Sequence, residues 1–411
     1  MPGTAPEGTS PVPVDGSLPD QVVEGADGRR FGVYVHVPFC RVRCGYCDFT
    51  TYTAEELGPE AGASRAGYPT GVRDELAVAA RVLARAGLPP RRASTLFLGG
   101  GTPTLLPVGD VVALVRAVED AVGLEPGAEV TTEANPDSVD LEYLRRLAEG
   151  GLTRISLGVQ SAVPQVLATL DRTHDPERVP QVVAWAREAG LAVSLDLIYG
   201  TPGESAGDRR ETLDMAVGLA PDHVSAYALV VEAGTRMAVQ VRRGELALPD
   251  DDDLADKYEV ADQLLGAAGL GWYEVSSWAR TPDHACRHNL GYWRGDDWWG
   301  VGPGAHSHVG GVRWWNVRHP SAWAQAVHAG RSPAQGREVL GRLERAAEDV
   351  LLRSRLAEGL PLGSVPEPQR AQVAALVADG LLDSGAARAG RVVPTLRGRL
   401  LADVVARSLT G

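Results

Sequence analysis

The chain has 411 residues, of which 53 are acidic and 40 basic, and its formal net charge at pH 7 is −13. This acidic balance argues against a nucleic-acid partner, because phosphate binding needs a basic surface. The sequence contains no run of 18 or more apolar residues and starts without the features of a secretory signal. We therefore expect a cytoplasmic protein with no membrane span, in a compartment where disulfides are rare.

Residues 1–30 are dominated by Pro, Gly, Ser and Thr, and this composition predicts a disordered N-terminal tail. The first predicted strand, GVYVHVP, comes next. Three of the four cysteines, Cys40, Cys44 and Cys47, follow it with the spacing C-x3-C-x2-C. A structural zinc site usually needs two separated pairs of ligands, and no second pair is nearby. Three thiolates on a four-iron cluster leave one iron open for chemistry, so the spacing favours a 4Fe-4S cluster over zinc.

Six apolar runs alternate with helical patterns between residues 32 and 230, which predicts parallel βαβ units. They are GVYVHVP, STLFLGG, EVTTEAN, RISLGVQ, VSLDLIYG and HVSAYALV. Polar or glycine residues, Asn135 and Ser161 among them, collect at the carboxyl ends of these runs, the face where (β/α) barrels build their active sites. We expect one pocket there, lined by the GGGT turn at 99–102, Glu133, Gln160 and Asp196.

The character of the sequence changes near residue 248, where ALPDDDDLADKYEVADQLLGAAG carries Pro and Asp at a predicted helix start. We predict a core domain over residues 31–248 and a smaller, mixed α/β to helical domain over 249–411. Residues 335–411 read as a helical tail with one short strand, RVVPT, in an arrangement that is winged-helix-like.

Segment 272–323 holds eight of the nine tryptophans and five histidines. Six strands cannot close an eight-stranded barrel, so tryptophans could cover an open sheet edge. They could equally hold a flat aromatic ligand between indoles, with a histidine available for iron. Composition alone leaves both interpretations open.

The cysteine motif, together with GGGTPT after the next strand, resembles the signature of the radical S-adenosylmethionine (SAM) family. The resemblance implies a partial (β/α)6 barrel in which the open iron binds SAM, and an electron from the cluster splits SAM to a 5′-deoxyadenosyl radical. It also implies a set of residues that contact SAM or line its pocket. These are Tyr34, Tyr46, Gly100, Gly101, Thr102, Glu133, Gln160, Arg172 and Asp196.

The string CRHNLGYWRGDDWWGVGPGAHS resembles the H-N-x-x-Y-W motif and the following Gly-rich turn of the HemW heme chaperones. The resemblance implies heme binding, with His288 as the first candidate for an iron contact and Tyr292, Trp293 and His306 as further heme candidates. Cys286 could face the heme or be a small buried hydrophobe, and we favour the second interpretation.

Two functions share this resemblance, and both involve tetrapyrroles. The alternative to the chaperone is the oxygen-independent coproporphyrinogen III dehydrogenase HemN, which typically has a further cysteine two residues after the third, where this chain has Phe49. HemN also has a longer N-terminal segment over its site. We therefore predict a heme chaperone. The expected partners are heme and a heme-acceptor protein such as a respiratory enzyme at the membrane, and a homodimer stays open.

Overall fold

A sheet of twelve strands organises this computed structural model, which describes residues 8–57 and 64–411. A separate pair, β13 and β14, forms a small second sheet. The strands are β1 Phe31–Val37, β2 Ala93–Gly100, β3 Leu124–Ala134, β4 Arg154–Gln160, β5 Ala192–Tyr199, β6 His223–Ala228, β7 Gly271–Glu274, β8 Ser277–Ala279, β9 Asp297–Val301, β10 His306–Val309, β11 Val312–Asn316, β12 Ala334–Val339, β13 Leu360–Pro361 and β14 Arg391–Val392.

Helices connect most of these strands and pack on the sheet. They are α1 Ala54–Leu57, α2 Tyr68–Arg85, α3 Val108–Ala121, α4 Leu141–Glu149, α5 Pro164–Thr169, α6 Val179–Glu188, α7 Ala206–Gly218, α8 Arg236–Arg242, α9 Asp251–Ala267, α10 Arg287–Arg294, α11 Pro320–His328, α12 Arg342–Arg353, α13 Arg370–Ala378, α14 Ser384–Arg388, α15 Leu396–Leu400 and α16 Ala402–Thr410. Among the described residues, none of these helices is long and apolar enough to cross a membrane.

The six strands predicted from the apolar runs are β1–β6, and they pair in chain order, all parallel. The run RISLGVQ coincides with β4 at both ends. Residues of both faces are buried in these strands, as expected for a parallel sheet covered on its faces. The predicted α/β class and its parallel core are confirmed.

The Trp- and His-rich segment adds strands to both edges of this core. Strand β9 pairs in parallel with β1, and β10, β11 and β12 continue that side as an antiparallel meander. On the other side β8 and β7 follow β6. In the described chain the sheet therefore ends at β12 and β7 and does not close. Five tryptophans are buried in this packing: Trp278, Trp299, Trp314, Trp315 and Trp323.

The helical tail begins later than residue 335, because residues 334–339 form strand β12 and the helix starts at Arg342. Strand β12 pairs with β11, and Trp315 lies against Gly336 so closely that a Cβ there would come within 2.3 Å of the indole. Glycine at this position lets a large ring cover the edge strand. Beyond it, α12–α16 and the β13–β14 pair surround a separate apolar cluster that includes Val350, Leu376 and Leu409.

Residues 8–30 differ from the disordered tail that composition predicts, since they contact β12 and the residues next to it and, further along, Asp297 of β9. The Ser10 N–H donates to the Arg337 carbonyl at 3.0 Å, and the Ser332 N–H donates to the Val14 carbonyl at 2.9 Å. Val22 is fully buried in the main apolar core. A few apolar side chains in a polar segment are enough to hold it on an open sheet edge. Residues 1–7 of the predicted tail lie outside the described residues.

A buried carboxylate ties helix α2 to the added strands. Glu75 accepts hydrogen bonds from the Gly302 N–H at 2.7 Å, the Asn316 Nδ2 at 2.6 Å and the Trp323 Nε1 at 2.6 Å. Burial raises the pKa of Glu75 to about 7. One side chain thus satisfies three donors that the sheet extension and α11 bring into the interior.

We expect the Glu75→Ala variant to lose about 3 kcal/mol or more of unfolding free energy, because each buried donor left without a partner costs ~1–3 kcal/mol. Urea denaturation followed by circular dichroism measures the loss. The control is Arg73→Ala, an exposed position on the same helix, which should change stability by under about 0.5 kcal/mol. Equal losses in the two variants would contradict the network's role.

Candidate functional site

The three cysteines lie on the loop after β1, and all three line one cavity of about 600 Å3. At the start of the loop, the Cys40 N–H donates to the Tyr52 carbonyl at 3.0 Å. Near its end, the Cys47 N–H donates to the Cys44 carbonyl at 3.2 Å. Burial raises the pKa of the Cys40 thiol to about 11 and that of Cys47 to about 12. A metal group bound here would therefore have to displace thiol protons.

The glycine turn after β2 forms a second wall of the same cavity. Gly100 has φ +109°, and its N–H donates to Glu133 Oε2 at 3.0 Å. The Gly101 N–H donates to the Val37 carbonyl at 2.8 Å, and a Cβ on Gly101 would lie 2.4 Å from the Phe39 carbonyl oxygen. Only glycine fits between the cysteine loop and this turn, so the backbone itself is presented to the cavity.

Two partly buried carboxylates, Glu133 and Asp196, line the cavity. Among the described residues, Glu133 accepts a hydrogen bond from the Gly100 N–H, while Asp196 accepts one from the Ser156 hydroxyl at 2.7 Å and another from Ser225. Burial raises the pKa of Glu133 to about 8, with Asp196 adding to the effect, and burial raises that of Asp196 to about 6. Neither forms an ion pair within the described residues. Two such acids attract a positively charged ligand.

A hydrogen-bonded chain links the glycine turn to the cysteine loop. Asn135 donates to the Thr102 hydroxyl at 3.2 Å and accepts from Arg172 Nη2 at 2.6 Å. Arg172 Nη2 also donates to the Gly158 carbonyl at 2.7 Å, and Arg172 Nη1 lies 3.6 Å from Cys44 Sγ. A guanidinium beside this sulfur would stabilise a thiolate. The sequence places Asn135 among the polar residues at the strand ends, but the resemblance did not include it among the residues that contact SAM.

Gln160 lies at the end of β4 with φ 64°, an uncommon left-handed conformation for a residue other than glycine. A shift in register at this point turns the side chain into the cavity. Its amide makes no hydrogen bond within the part of the chain that the structure describes. Backbone strain with a free polar group is typical of ligand-binding positions.

All nine residues predicted to contact SAM line this one cavity, together with the three cysteines. Tyr34, on β1, donates or accepts a hydrogen bond with His36 Nδ1 at 3.0 Å and separates this cavity from a neighbouring one. Tyr46 lines the cavity from the cysteine loop. The structure thus brings together residues from the loop, from four strand ends and from Arg172, which follows α5.

The heme candidates are divided between different places. His288 and Tyr292 line the cavity from α10, whereas Trp293 packs outside it in a cluster with Leu356. His306 lines a second, adjoining cavity of about 570 Å3. His288 is buried and uses both ring nitrogens, Nδ1 with the Thr95 hydroxyl at 2.8 Å and Nε2 with the Tyr292 hydroxyl at 2.7 Å.

Glu129 is a buried residue of the site that sequence reasoning missed. It accepts hydrogen bonds from the Arg287 N–H at 3.1 Å and the His288 N–H at 3.0 Å, at the N-terminus of α10. It also pairs with Arg154 at 3.4 Å and lies 3.7 Å from Cys286 Sγ. A carboxylate at this helix end interacts favourably with the helix dipole. Cys286 is buried, and it contacts Glu129 while also lining the first cavity.

The donors present fit an iron–sulfur cluster better than a single metal ion. Within the described ranges, no three His, Cys, Asp or Glu side chains converge as ligands of one ion. The three thiols instead border a cavity large enough for a bulky group, and the closely approaching glycine turn and the acid pair stand beside them. That donor set matches a cluster with an iron left open.

Comparisons with known proteins agree with this geometry. The sequence model of the radical SAM superfamily matches residues 34–216. Heme chaperone HemW of Mycobacterium tuberculosis (strain CDC 1551 / Oshkosh) is 51% identical over 93% of this chain and 96% of its own length. Heme chaperone HemW of Escherichia coli (strain K12) is 35% identical over 80% and 83%. The structure of coproporphyrinogen III oxidase HemN from Escherichia coli has a TM-score of 0.78 at 23% identity, covering 95% of this chain and 92% of that one.

The fold and the cysteine loop define a protein of the radical SAM superfamily. The likeness to HemN, at its low identity, supports the fold alone. Within that superfamily, the identity to the curated relatives over nearly the whole chain shows that this chain belongs to the HemW heme chaperone family.

The ligand-free protein should lose stability as pH rises from about 7 to about 8.5. The pKa of Glu133 in the folded chain, about 8, is above the ordinary glutamate value, so the folded state binds more of this proton than the unfolded state until the pH has risen through the folded pKa. Unfolding free energies from urea titrations at both pH values measure the loss. In Glu133→Gln the loss should be smaller, and an identical loss would contradict the assignment of Glu133.

Proposed function

We propose that this protein is a heme chaperone that carries a SAM-ligated 4Fe-4S cluster, binds heme and transfers it to an acceptor protein. The observation that carries the proposal is the 51% identity to a heme chaperone HemW over 93% of the chain. The cavity beside the cysteines supports the cofactor part, and an adjoining cavity gives room for a second ligand.

Cys40, Cys44 and Cys47 would hold the cluster, which supplies a reducible iron centre with one open position when bound. Arg172 stands beside Cys44 and offers an N–H to its sulfur. Positive charge and hydrogen bonding at a cluster sulfur stabilise the thiolate and tune the reduction potential. Asn135 and the Gly158 carbonyl hold this guanidinium in place from the opposite side.

SAM is a sulfonium cation, and the charges of the cavity suit it. Glu133 and Asp196 place two carboxylates opposite the cysteine loop, and ionisation of both becomes favourable when a cation enters. The Gly100–Gly101 backbone gives a surface that a ligand can approach closely. The free amide of Gln160 can both donate and accept a hydrogen bond, which suits a polar group of the ligand.

The alternative, a coproporphyrinogen III dehydrogenase, is less well supported. Phe49 occupies the position where those enzymes typically have a further cysteine, and its side chain is 56% exposed. The described residues that precede Tyr34 contribute nothing to the lining of the cavity, since residues 8–30 contact β12 and the residues next to it and, further along, β9. The extra cysteine of the enzyme therefore has no counterpart in the described chain.

The cluster assignment predicts that a variant with Cys40, Cys44 and Cys47 all changed to serine will bind only background iron after anaerobic reconstitution, since serine is a poor ligand for these irons. Iron and sulfide content and the visible absorption of the cluster are the measurements. Cys286→Ala is the matched control and should bind iron like the wild type.

Adding SAM to the reduced wild-type protein should also change the EPR signal of the cluster, and an unchanged signal would refute the SAM site.

The function itself is tested with the reconstituted wild-type protein in two assays. Given SAM, a reductant and coproporphyrinogen III, it should leave the porphyrinogen unchanged by mass spectrometry, because the extra cysteine of the dehydrogenase is missing. Loaded with hemin, it should transfer the hemin to a heme-free globin, seen as a shift of the Soret band. Formation of protoporphyrinogen with 5′-deoxyadenosine would instead identify the dehydrogenase.

A further inference from the structure

The second cavity, of about 570 Å3, adjoins the first and shares part of its wall. Tyr34, Asp48, Phe49 and Tyr292 line both cavities. The far side of the second cavity is formed by the β10–β11 hairpin and by helix α12. Its volume is within the range of small-molecule and cofactor sites.

The lining of this cavity differs in charge from that of the first. Arg318 follows β11, and its guanidinium makes no hydrogen bond or ion pair with any described residue. The other arginine, Arg313, is already held by Glu338 at 2.7 Å and Glu348 at 2.5 Å. An unpaired guanidinium favours an anionic group on the ligand, and it is the best residue type for planar carboxylates.

Apolar surface completes the lining next to this cation. Phe49 is 56% exposed, and Leu352 and the ring of Trp298 border the same space. An exposed phenyl ring on a short loop beside a cavity is a typical feature of a site for a flat apolar ligand. The cavity therefore combines a free cation with aromatic and aliphatic surface, as a macrocycle with carboxylate arms requires.

Three histidines line the cavity, and only one has free ring nitrogens. His36 bonds to Tyr34 and, at 2.7 Å, to the Thr50 carbonyl, while His308 bonds to the Asp296 carbonyl at 3.0 Å and the Gly311 N–H at 3.1 Å. His306 makes no side-chain hydrogen bond within the described part of the chain.

His306 is an exposed residue at the start of β10, and its ring makes one aromatic contact. It stacks on Trp315 with a centroid separation of 5.8 Å. Partial desolvation of the ring and the positive charges of Arg318 and Arg313 lower the pKa of His306, so the neutral ring that ligates metals is favoured.

We propose that heme binds in this second cavity, with His306 as an axial ligand of the iron, Arg318 paired with a propionate, and Phe49 against the porphyrin ring. The proposal rests on the heme-chaperone function and names the site that it uses. His288, the candidate from the H-N-x-x-Y-W string, could bind iron only by giving up its hydrogen bond to Thr95 or to Tyr292. His306 can bind iron without losing any hydrogen bond.

Hemin titration of the cluster-containing full-length protein, followed at the Soret band and by EPR of the ferric iron, tests the histidine. The His306→Ala variant should bind hemin at least about tenfold more weakly, a loss of ~1.4 kcal/mol, and should lose the spectrum of histidine ligation. Added imidazole should restore that spectrum. The control, His328→Ala, changes a histidine on α11 that does not line the cavity and should bind like the wild type. Cluster iron content verifies that each variant is folded.

The propionate contact is tested with Arg318→Gln and two probes. This variant should bind hemin about tenfold more weakly than the wild type does. Both proteins should bind hemin dimethyl ester, which lacks the carboxylate charges, with the same affinity. Wild-type affinity and spectrum in His306→Ala, with both lost in His288→Ala, would overturn the proposal and move the site to α10. Absence of saturable hemin binding by the wild type would instead overturn the heme-chaperone function itself.

Discussion

The parallel pairing of β1 with β9 is the contact on which the rest of the structure depends. Residues 31–35 pair with 297–301, far apart in the chain. At the start of β9 the buried Asp297 accepts from Arg29 at 2.9 Å and pairs with Arg91 at 2.7 Å, so a charge in the interior is compensated from two separate segments. Because β1 already pairs with β2, this contact puts the histidine-rich hairpin beside the cysteine loop. The two cavities adjoin for this reason.

The parallel core could be predicted from the sequence because its strands are largely buried on both faces and read as runs rich in apolar and β-branched residues. The strands added at the two edges of the sheet could not be predicted in this way. Which edge receives a short strand depends on contacts between residues far apart in the chain, such as Phe31 with Asp297 and His223 with Ala279, and no local pattern encodes them. The run GREVL at 336–340 shows the difficulty, since its few apolar residues suit a helix as well as the edge strand that it forms against β11. In the structure this run forms a strand against β11, where Trp315 packs closely on Gly336.

The site followed from the sequence where residues stand at the carboxyl ends of successive parallel strands, as Glu133, Gln160 and Asp196 do. It was missed where a residue acts across the fold. Glu129 lies inside β3 and looks like an ordinary strand residue, yet its carboxylate accepts hydrogen bonds from the first two N–H groups of α10. The motif indicated that His288 belongs to a ligand site, but it did not indicate where the imidazole ring points. The orientation of the ring is set by hydrogen bonds with Thr95 on β2 and with Tyr292.

The short distance between Cys47 and Phe49 has a wider consequence. One loop carries Cys47, the third cysteine of the motif, and two residues later Phe49, whose ring lines the neighbouring cavity. Under the proposed function, a newly made chain that lacks its cluster has this loop held by backbone hydrogen bonds and by the side chains of Arg41, Arg43 and Arg172. The shape of the cargo site is then coupled to the cell's supply of iron and sulfide, so that iron-starved cells would hold a chaperone less prepared to receive the iron compound it distributes.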